Sequence, residues 1–437
     1  MSVQGSEARS PLTLPATPQP APADPSRPRS RWATFASLRV RNYRLFFSGQ
    51  VISNIGTWMQ RIAQDWLVFT LSGFNPVALG VAVALQFTPT LLLSLWAGVL
   101  ADRVDKRKLL IAIQTGTLLQ AVTLGVLDVL GIVTLWQVYL LCVVLGTLSA
   151  LEVPTRQSFV GEMVGRSQIP NAVALNSSIF NMARIVGPAI AGFAITAVGT
   201  GWLFLANGAS TLAVLAGLAM MRPGELFRGP KVARTKGQLR EGLRYVRGRA
   251  DLMTVLALVL FVSTFGITFF TSLAIVAGKV FGTRADGYGL LSTLLAVGTF
   301  TGALMAARRG TRGRPRLRLL LGSALALGAI ELGAAFMPTY LAFGIALVPL
   351  GFATMTFLNT ANALVQTSVS PEMRGRVMGL YVLVLIGGNP VGGPLTGWLA
   401  DVFGGRSPFY VGGAVSILAA AVCALVLLRR RERQPAF

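Results

Sequence analysis

At 437 residues the chain is 53% hydrophobic and only 13% charged, with a mean hydropathy of +0.63. A soluble chain carries about a quarter of its residues as charge, so the composition points to a membrane protein. The formal net charge of +23 raises nucleic-acid binding as a rival, while the complete absence of histidine excludes His-based metal sites, Ser–His and Cys–His catalysis and imidazole proton relays.

Residues 1–40 contain the run PLTLPATPQPAPADPSRPRS and no apolar core, which predicts a disordered Pro-rich cytoplasmic tail and neither a signal peptide nor a transit helix. Twelve apolar stretches follow, each long enough to cross a bilayer core of about 30 Å, which takes about 20 residues. The first six cover 45–71, 77–100, 109–130, 135–154, 172–197 and 202–221; the second six cover 252–281, 287–307, 318–337, 340–361, 376–400 and 408–428. Turns rich in Gly, Pro or Asn, such as Ser72-Gly73-Phe74-Asn75-Pro76, separate many of them. The expected organisation is an N-terminal six-helix half (41–221), a basic cytoplasmic linker (222–251), a C-terminal six-helix half (252–428) and a basic cytoplasmic tail (429–437). That is an all-α polytopic protein held in a lipid bilayer.

If the first span leaves the cytoplasm, 34 of the 39 Lys and Arg residues fall on the cytoplasmic side. Only Lys279, Arg284 and Arg406 lie opposite, and Arg61 and Arg184 lie within spans. This asymmetry predicts a cell-membrane protein with both termini cytoplasmic, and it removes nucleic acid as a partner. In the linker, 236–249 puts Leu239, Leu243 and Val246 on one helical face and Arg240, Arg244 and Arg247 on another, the pattern of an amphipathic helix at an anionic leaflet. Cys142 and Cys423 sit mid-span and read as small packing residues, with no metal site implied. A faint internal echo joins the halves: Gly187-Pro188 with Gly192 recurs as Gly393-Pro394 with Gly397, and Gly98 recurs as Gly302. Such repeats suit a transporter that rocks about a central cavity, although Gly and Pro are common in membrane helices anyway.

Between the second and third spans the sequence reads GVLADRVDKRK. Gly98, Asp102, Arg103, Arg107 and Lys108 match the loop signature G-x₃-D-[RK]-x-G-x-[RK]-[RK], so the chain resembles the major facilitator superfamily. Asp105 stands where that signature has glycine, which predicts a different turn or an Asx-type bond there. The resemblance implies a conformational latch, in which the aspartate at Asp102 clasps the start of the eleventh span. Further runs, Ser53-Asn54-Ile55-Gly56-Thr57-Trp58, Asn176-Ser177-Ser178 through Gly187-Pro188 and Glu241-Gly242-Leu243-Arg244-Tyr245-Val246, resemble the transmembrane secretion effector branch, which includes enterobactin exporters and macrolide efflux pumps. The likeness covers nearly everything after about residue 35 and implies a monomeric transporter of a small molecule, not an enzyme.

The first span is the least compatible with lipid. Gln50, Asn54, Thr57, Arg61 and Asp65 recur at helical steps and line one face, flanked by Ser53, Gln60 and Gln64. A charge at mid-membrane costs at least about 2.5 kcal/mol, so this face must look into the bundle. Arg61 and Asp65 are one turn apart, and two readings stay open: a neutral ion pair, or a carboxylate that exchanges a proton while Arg61 tunes it. Glu152, beside Pro154 and Arg156, is a second coupling candidate at a cytoplasmic gate. Glu331 is expected to reach toward the membrane interface. Ser177, Asn181, Arg184 and Pro188 form a stripe in the fifth span, with Arg184 either an internal ion-pair partner or an anchor for anionic cargo or an exchanging carboxylate. Thr268, Thr356 and Asn359 are further candidates for contact with solute, or simply bond neighbouring backbone. Gly187, Pro188, Pro390, Gly393 and Pro394 predict helix bends.

No G-x₄-G-K-[ST] run is present, so ATP is not the direct energy source and no cofactor is implied. The favoured function is proton-coupled efflux of an amphipathic, drug-like or siderophore-like molecule by alternating access. Uptake by the same fold and a non-transporting sensor or assembly role remain the alternatives.

Overall fold

The structure is a computed structural model that describes residues 31–227, 238–310 and 317–432. Most of the expected N-terminal tail, part of the basic linker and the last residues of the C-terminal tail lie outside the described residues. A short 3-10 segment, Arg31–Arg39, leads into α1 (Arg41–Leu71). Then come α2 (Pro76–Arg103), α3 (Lys106–Val129), α4 (Leu135–Val164), α5 (Ile169–Val198) and α6 (Thr200–Ala219). After the linker follow α7 (Gln238–Arg247), α8 (Ala250–Phe261), α9 (Phe269–Ile275), α10 (Ala285–Gly310), α11 (Leu317–Ala335), α12 (Tyr340–Ser368), α13 (Pro371–Gly387), α14 (Asn389–Val402) and α15 (Ser407–Glu432).

Local chemistry sets the helix starts. Asn75 caps α2, its Oδ1 accepting from the Val77 amide at 2.8 Å, with Pro76 in the first turn. Thr134 and Gln137 form a reciprocal capping box at α4. Asp105, the departure from the loop signature, caps α3 by accepting from the Lys108 amide at 3.1 Å. The expected Asx-type bond is present, and the turn needs no glycine because Asp105 keeps φ at −66°.

Among the described residues, eleven helical stretches are long and apolar enough to cross a membrane; α8–α9 count as one and α13–α14 as another. The 31-residue α1 is long enough, but its polar stripe keeps it below that standard of composition. The seventh of the twelve expected spans is not the continuous helix that its apolar run suggests. Two π-helical turns, Val262–Gly266 and Val276–Val280, flank the short α9. In the eleventh, α13 and α14 are separated only at Gly388, which keeps helical dihedrals with φ at −69° and ψ at −31°. By contrast α5 runs through Gly187-Pro188 without interruption.

The linker helix α7 forms, but it packs against protein. Val246 is buried, Gly242 lies on Arg376 and Leu380 of α13, and Arg376 pairs with Glu241 at 2.6 Å. Of its apolar face Val246 is buried while Leu243 is 38% exposed, so α13 covers only part of it.

Helices α1–α6 pack with one another, as do α8–α15, and the two groups meet chiefly through α2 on α14 and α5 on α10. Glycine makes both crossings close. A Cβ at Gly80 would lie 2.8 Å from the Pro394 Cα, and one at Gly289 would lie 2.6 Å from the Gly192 Cα. These approaches sit toward the end of the bundle opposite the termini. The echoed glycines Gly192, Gly393 and Gly397 therefore occupy equivalent places in the two crossings. Gly289→Leu should hold this end apart: spin labels at Val198 and Phe403, in a background with the native cysteines replaced, should report a longer distance. An unchanged distance would show that the glycine crossing does not set the spacing.

Candidate functional site

Helix α1 is packed on two sides. On one, Gly49 lies against the backbone of Ala213 and Val214, and Gly56 against Asn207 and Ser210, all from α6. On the other, Gly187 of α5 brings its backbone onto Trp58 and Ile55. The face left over carries Gln50, Asn54, Thr57, Arg61 and Asp65, the stripe anticipated from helical spacing. Thr57 is exposed, Asn54 and Arg61 are half-buried, and Gln50 and Asp65 are buried. Two of these groups satisfy themselves along the helix: Asn54 Nδ2 donates to the Gln50 carbonyl at 2.7 Å and Thr57 Oγ1 to the Ser53 carbonyl at 2.9 Å.

Behind the stripe runs a chain of amides. Asn207 Nδ2 of α6 donates to Gln60 Oε1 at 2.6 Å, and Gln60 Nε2 donates to Gln120 Oε1 of α3 at 2.9 Å. Gln64 Nε2 donates to Gln86 Oε1 of α2 at 3.0 Å. These bonds fix the rotation of α1, so the stripe faces inward. Gln86, Gln120 and Asn207 have no periodic pattern of their own, and only contact with α1 reveals their role.

Asp65 does not pair with Arg61. Its Oδ2 accepts from the Tyr288 hydroxyl of α10 at 3.0 Å, a buried bond that joins the two groups of helices. Tyr288 is fully buried and stacks on Trp66, with ring centroids 6.2 Å apart. Arg61 instead packs its guanidinium over Phe87 of α2 and Phe270 of α9, each at 5.3 Å, and its buried Nε has no hydrogen-bond partner. Arg184 is in the same condition. It lies 5.7 Å from the Trp58 ring and 6.0 Å from that of Phe270, its Nε is unpartnered, and no described ion pair includes it. The internal ion-pair reading of Arg184 thus finds no acidic partner among the described residues.

Other candidates lie elsewhere. Asn181 Nδ2 bonds back to the Ser177 carbonyl at 2.8 Å. Thr268 shares a 2.9 Å bond with Thr396, tying α14 to the start of α9. Thr356 is buried with an unpartnered hydroxyl, and Asn359 is half-buried on the same helix. Glu152 pairs within its own helix, 3.6 Å from Arg156. Glu331 does not reach an interface: it is 3% exposed, packed against Gly266 of the first π turn and Gly412 of α15, with Oε2 unpartnered. Two glycines leave room for the carboxyl where side chains would have pushed it outward.

The basic loop after α2 is anchored within the first group of helices. Arg107 donates to the carbonyls of Leu218 and Ala219, at 2.7 and 3.0 Å, capping the end of α6. Lys106 pairs with Glu162 of α4 at 2.6 Å. The side chain of Asp102, and with it the expected clasp on the eleventh span, lies outside what the structure describes.

Residues 32–436 match the family described as transmembrane secretion effector. The chain belongs to this family of major facilitator transporters. As such it is a membrane transporter, not an enzyme. A staphyloferrin A transporter of Staphylococcus aureus is 27% identical over 383 residues, covering 86% of this chain and 93% of that protein. The multidrug efflux pump Tap of Mycolicibacterium fortuitum is 27% identical, covering 89% and 96%. The enterobactin exporter of Shigella flexneri is 24% identical, covering 77% and 80%. Among solved structures, a point mutant of a nucleoside transporter superposes with a TM-score of 0.72 at 11% identity, covering 88% of this chain and 99% of that one. A D-xylose–proton symporter gives 0.68 at 13% identity, covering 89% and 97%. These likenesses establish the fold and leave cargo to the site itself.

In this transporter the amide chain should be structural. Asn207→Leu leaves Gln60 Oε1 without its donor and should cost about 1–2 kcal/mol. Thermal unfolding of the purified protein in detergent should show a midpoint lower by a few degrees; an unshifted midpoint would mean that the chain does not hold α1.

Proposed function

We propose that this transporter exports an amphipathic small molecule in exchange for protons, by alternating access, with Asp65 as the group whose proton is exchanged. The observation that carries the reading is the buried bond between Asp65 and Tyr288 across the two groups of helices. With the end opposite the termini closed, Asp65 is shut away from water and one of its oxygens is held by a hydroxyl of the other half. Rocking the halves apart at the Gly192–Gly289 and Gly80–Gly393 crossings removes Tyr288 and wets the carboxylate, which then takes a proton from outside. Closing again returns it to a dry site, and opening on the other side releases the proton. A single carboxylate alternately paired and hydrated in this way links the gradient to the conformational cycle.

In this reading α1 is the first of twelve spans, both termini are cytoplasmic, and the chain works as a monomer in the cell membrane. The loop of Gly98, Asp102, Arg103, Asp105, Arg107 and Lys108 serves as the latch. Arg107 on α6 and Lys106 on α4 give it a rigid base. Glu152, held by Arg156, is left as a spectator on α4. The π turns let the second half flex while the first moves as a block. Efflux accords with the presence of an enterobactin exporter and the multidrug efflux pump Tap among the relatives.

Inverted membrane vesicles with an imposed pH gradient test this with a catecholate siderophore, a macrolide and a lipophilic cation as cargo. Gradient-driven uptake should appear for at least one, vanish in Asp65→Asn, and persist there as gradient-independent exchange. Tyr288→Phe, which removes the cross-half bond, should slow the coupled flux by about tenfold. Full gradient-driven uptake by Asp65→Asn would refute the assignment.

A further inference from the structure

The proposed cycle makes no use of the two arginines beside the stripe. Arg61 from α1 and Arg184 from α5 approach the same ring, Phe270 of α9, at 5.3 and 6.0 Å. Phe87 covers Arg61 from α2, and Trp58 covers Arg184, with Phe180 packed on Trp58 at 5.6 Å. Aromatic faces attract a cation, but they satisfy none of its N–H groups. Each arginine keeps a buried Nε with no hydrogen-bond partner, and no described ion pair includes either residue. The acidic side chain one turn from Arg61 is Asp65, whose Oδ2 is engaged by Tyr288. Two like charges are therefore gathered between α1, α5 and α9 without an ion-pair partner among the described residues, and each keeps a buried Nε unpaired while the protein is empty. It makes sense if something else brings the negative charge.

The chemistry of that partner follows from the groups that wait for it. A guanidinium presents a planar fork that matches a carboxylate with two parallel bonds. Two forks near one aromatic ring call for a molecule with more than one carboxylate and a flat apolar surface between or beside them. A lipophilic cation, repelled by both arginines, is disfavoured at this place.

We propose that Arg61 and Arg184, set around Phe270, form the binding site for an organic polycarboxylate, and that this is the class of cargo the transporter carries. The inference rests on the transport reading above but names a site that the proton step does not need. Phe270 belongs to the second half of the chain and both arginines to the first, so the anion would sit where the halves meet. Arg184 thereby becomes the anchor for cargo, and Arg61 contributes to cargo in place of an ion pair with Asp65.

The test is equilibrium binding to the full-length protein in detergent, with radiolabelled benzene-1,2,4,5-tetracarboxylate as probe. Its tetramethyl ester and tetraphenylphosphonium serve as competitors. Saturable binding of the acid is expected, with no competition from the ester or the cation. Arg61→Gln and Arg184→Gln should each weaken it by about tenfold or more, as loss of one partner of a desolvated charge pair does. Arg61→Lys and Arg184→Lys should fall between, since they keep the charge but lose the fork. Matching elution profiles and unfolding midpoints show that the variants are folded. No saturable binding to the wild-type protein, binding that survives both Gln variants, or displacement by tetraphenylphosphonium would each overturn the proposal. The measurement involves no gradient and no turnover. A protein that moves another cargo with protons yet ignores the acid would defeat this inference alone, and one that binds the acid without coupling would defeat only the proton cycle.

Discussion

A helix carrying Gln50, Asn54, Thr57, Arg61 and Asp65 on one face cannot turn that face to lipid, and the arrangement of its neighbours follows from hiding it. Glycine lets α6 close over one flank at Gly49 and Gly56 and lets α5 close over another at Gly187. The amides of Gln60, Gln120 and Asn207 then lock the rotation. What remains uncovered is a strip of polar groups at the junction of the two halves, reached from the second half by Tyr288 and Phe270. Burial of the stripe and creation of the site are one event.

The surface between the halves uses the same device as the interior of each half. The crossings of α2 on α14 and α5 on α10 bring backbone close to backbone at glycine, as the crossing of α1 on α6 does within the first half. In lipid, where apolar side chains gain little by leaving one hydrocarbon surface for another, such contacts rest mainly on van der Waals fit. Contacts of that kind can be broken and remade at modest cost. The hydrogen bond between Asp65 and Tyr288, the stacking of Tyr288 on Trp66 and the ring of Phe270 against Arg61 and Arg184 add specific contacts to that seam.

How much of this was legible in the sequence depends on whether a feature is local. The stripe on α1 could be read because it needs only the helical period. Tyr288 was not legible: it stands 223 residues from Asp65 in a run, Asp286-Gly287-Tyr288-Gly289, with no pattern to mark it. Phe270 sits in an apolar stretch where any aromatic looks like core. For Glu331, counting helical rise gave a depth, but the space made by Gly266 and Gly412 depends on three segments distant in the chain. The pairing of Arg61 with Asp65, one of two readings their spacing left open, gave way to a tyrosine and two aromatic rings from other helices.

The π turns on either side of α9 have a geometric corollary. Each holds one residue more than an ordinary turn, and α9 between them is only seven residues long. Between the first of them and α9 the helix is interrupted at Ile267, whose φ of −116° and ψ of 15° are not helical. Phe270, second in α9, therefore meets both guanidinium groups from a seven-residue helix bounded on each side by irregular backbone, and the contact across the halves hangs on that short segment.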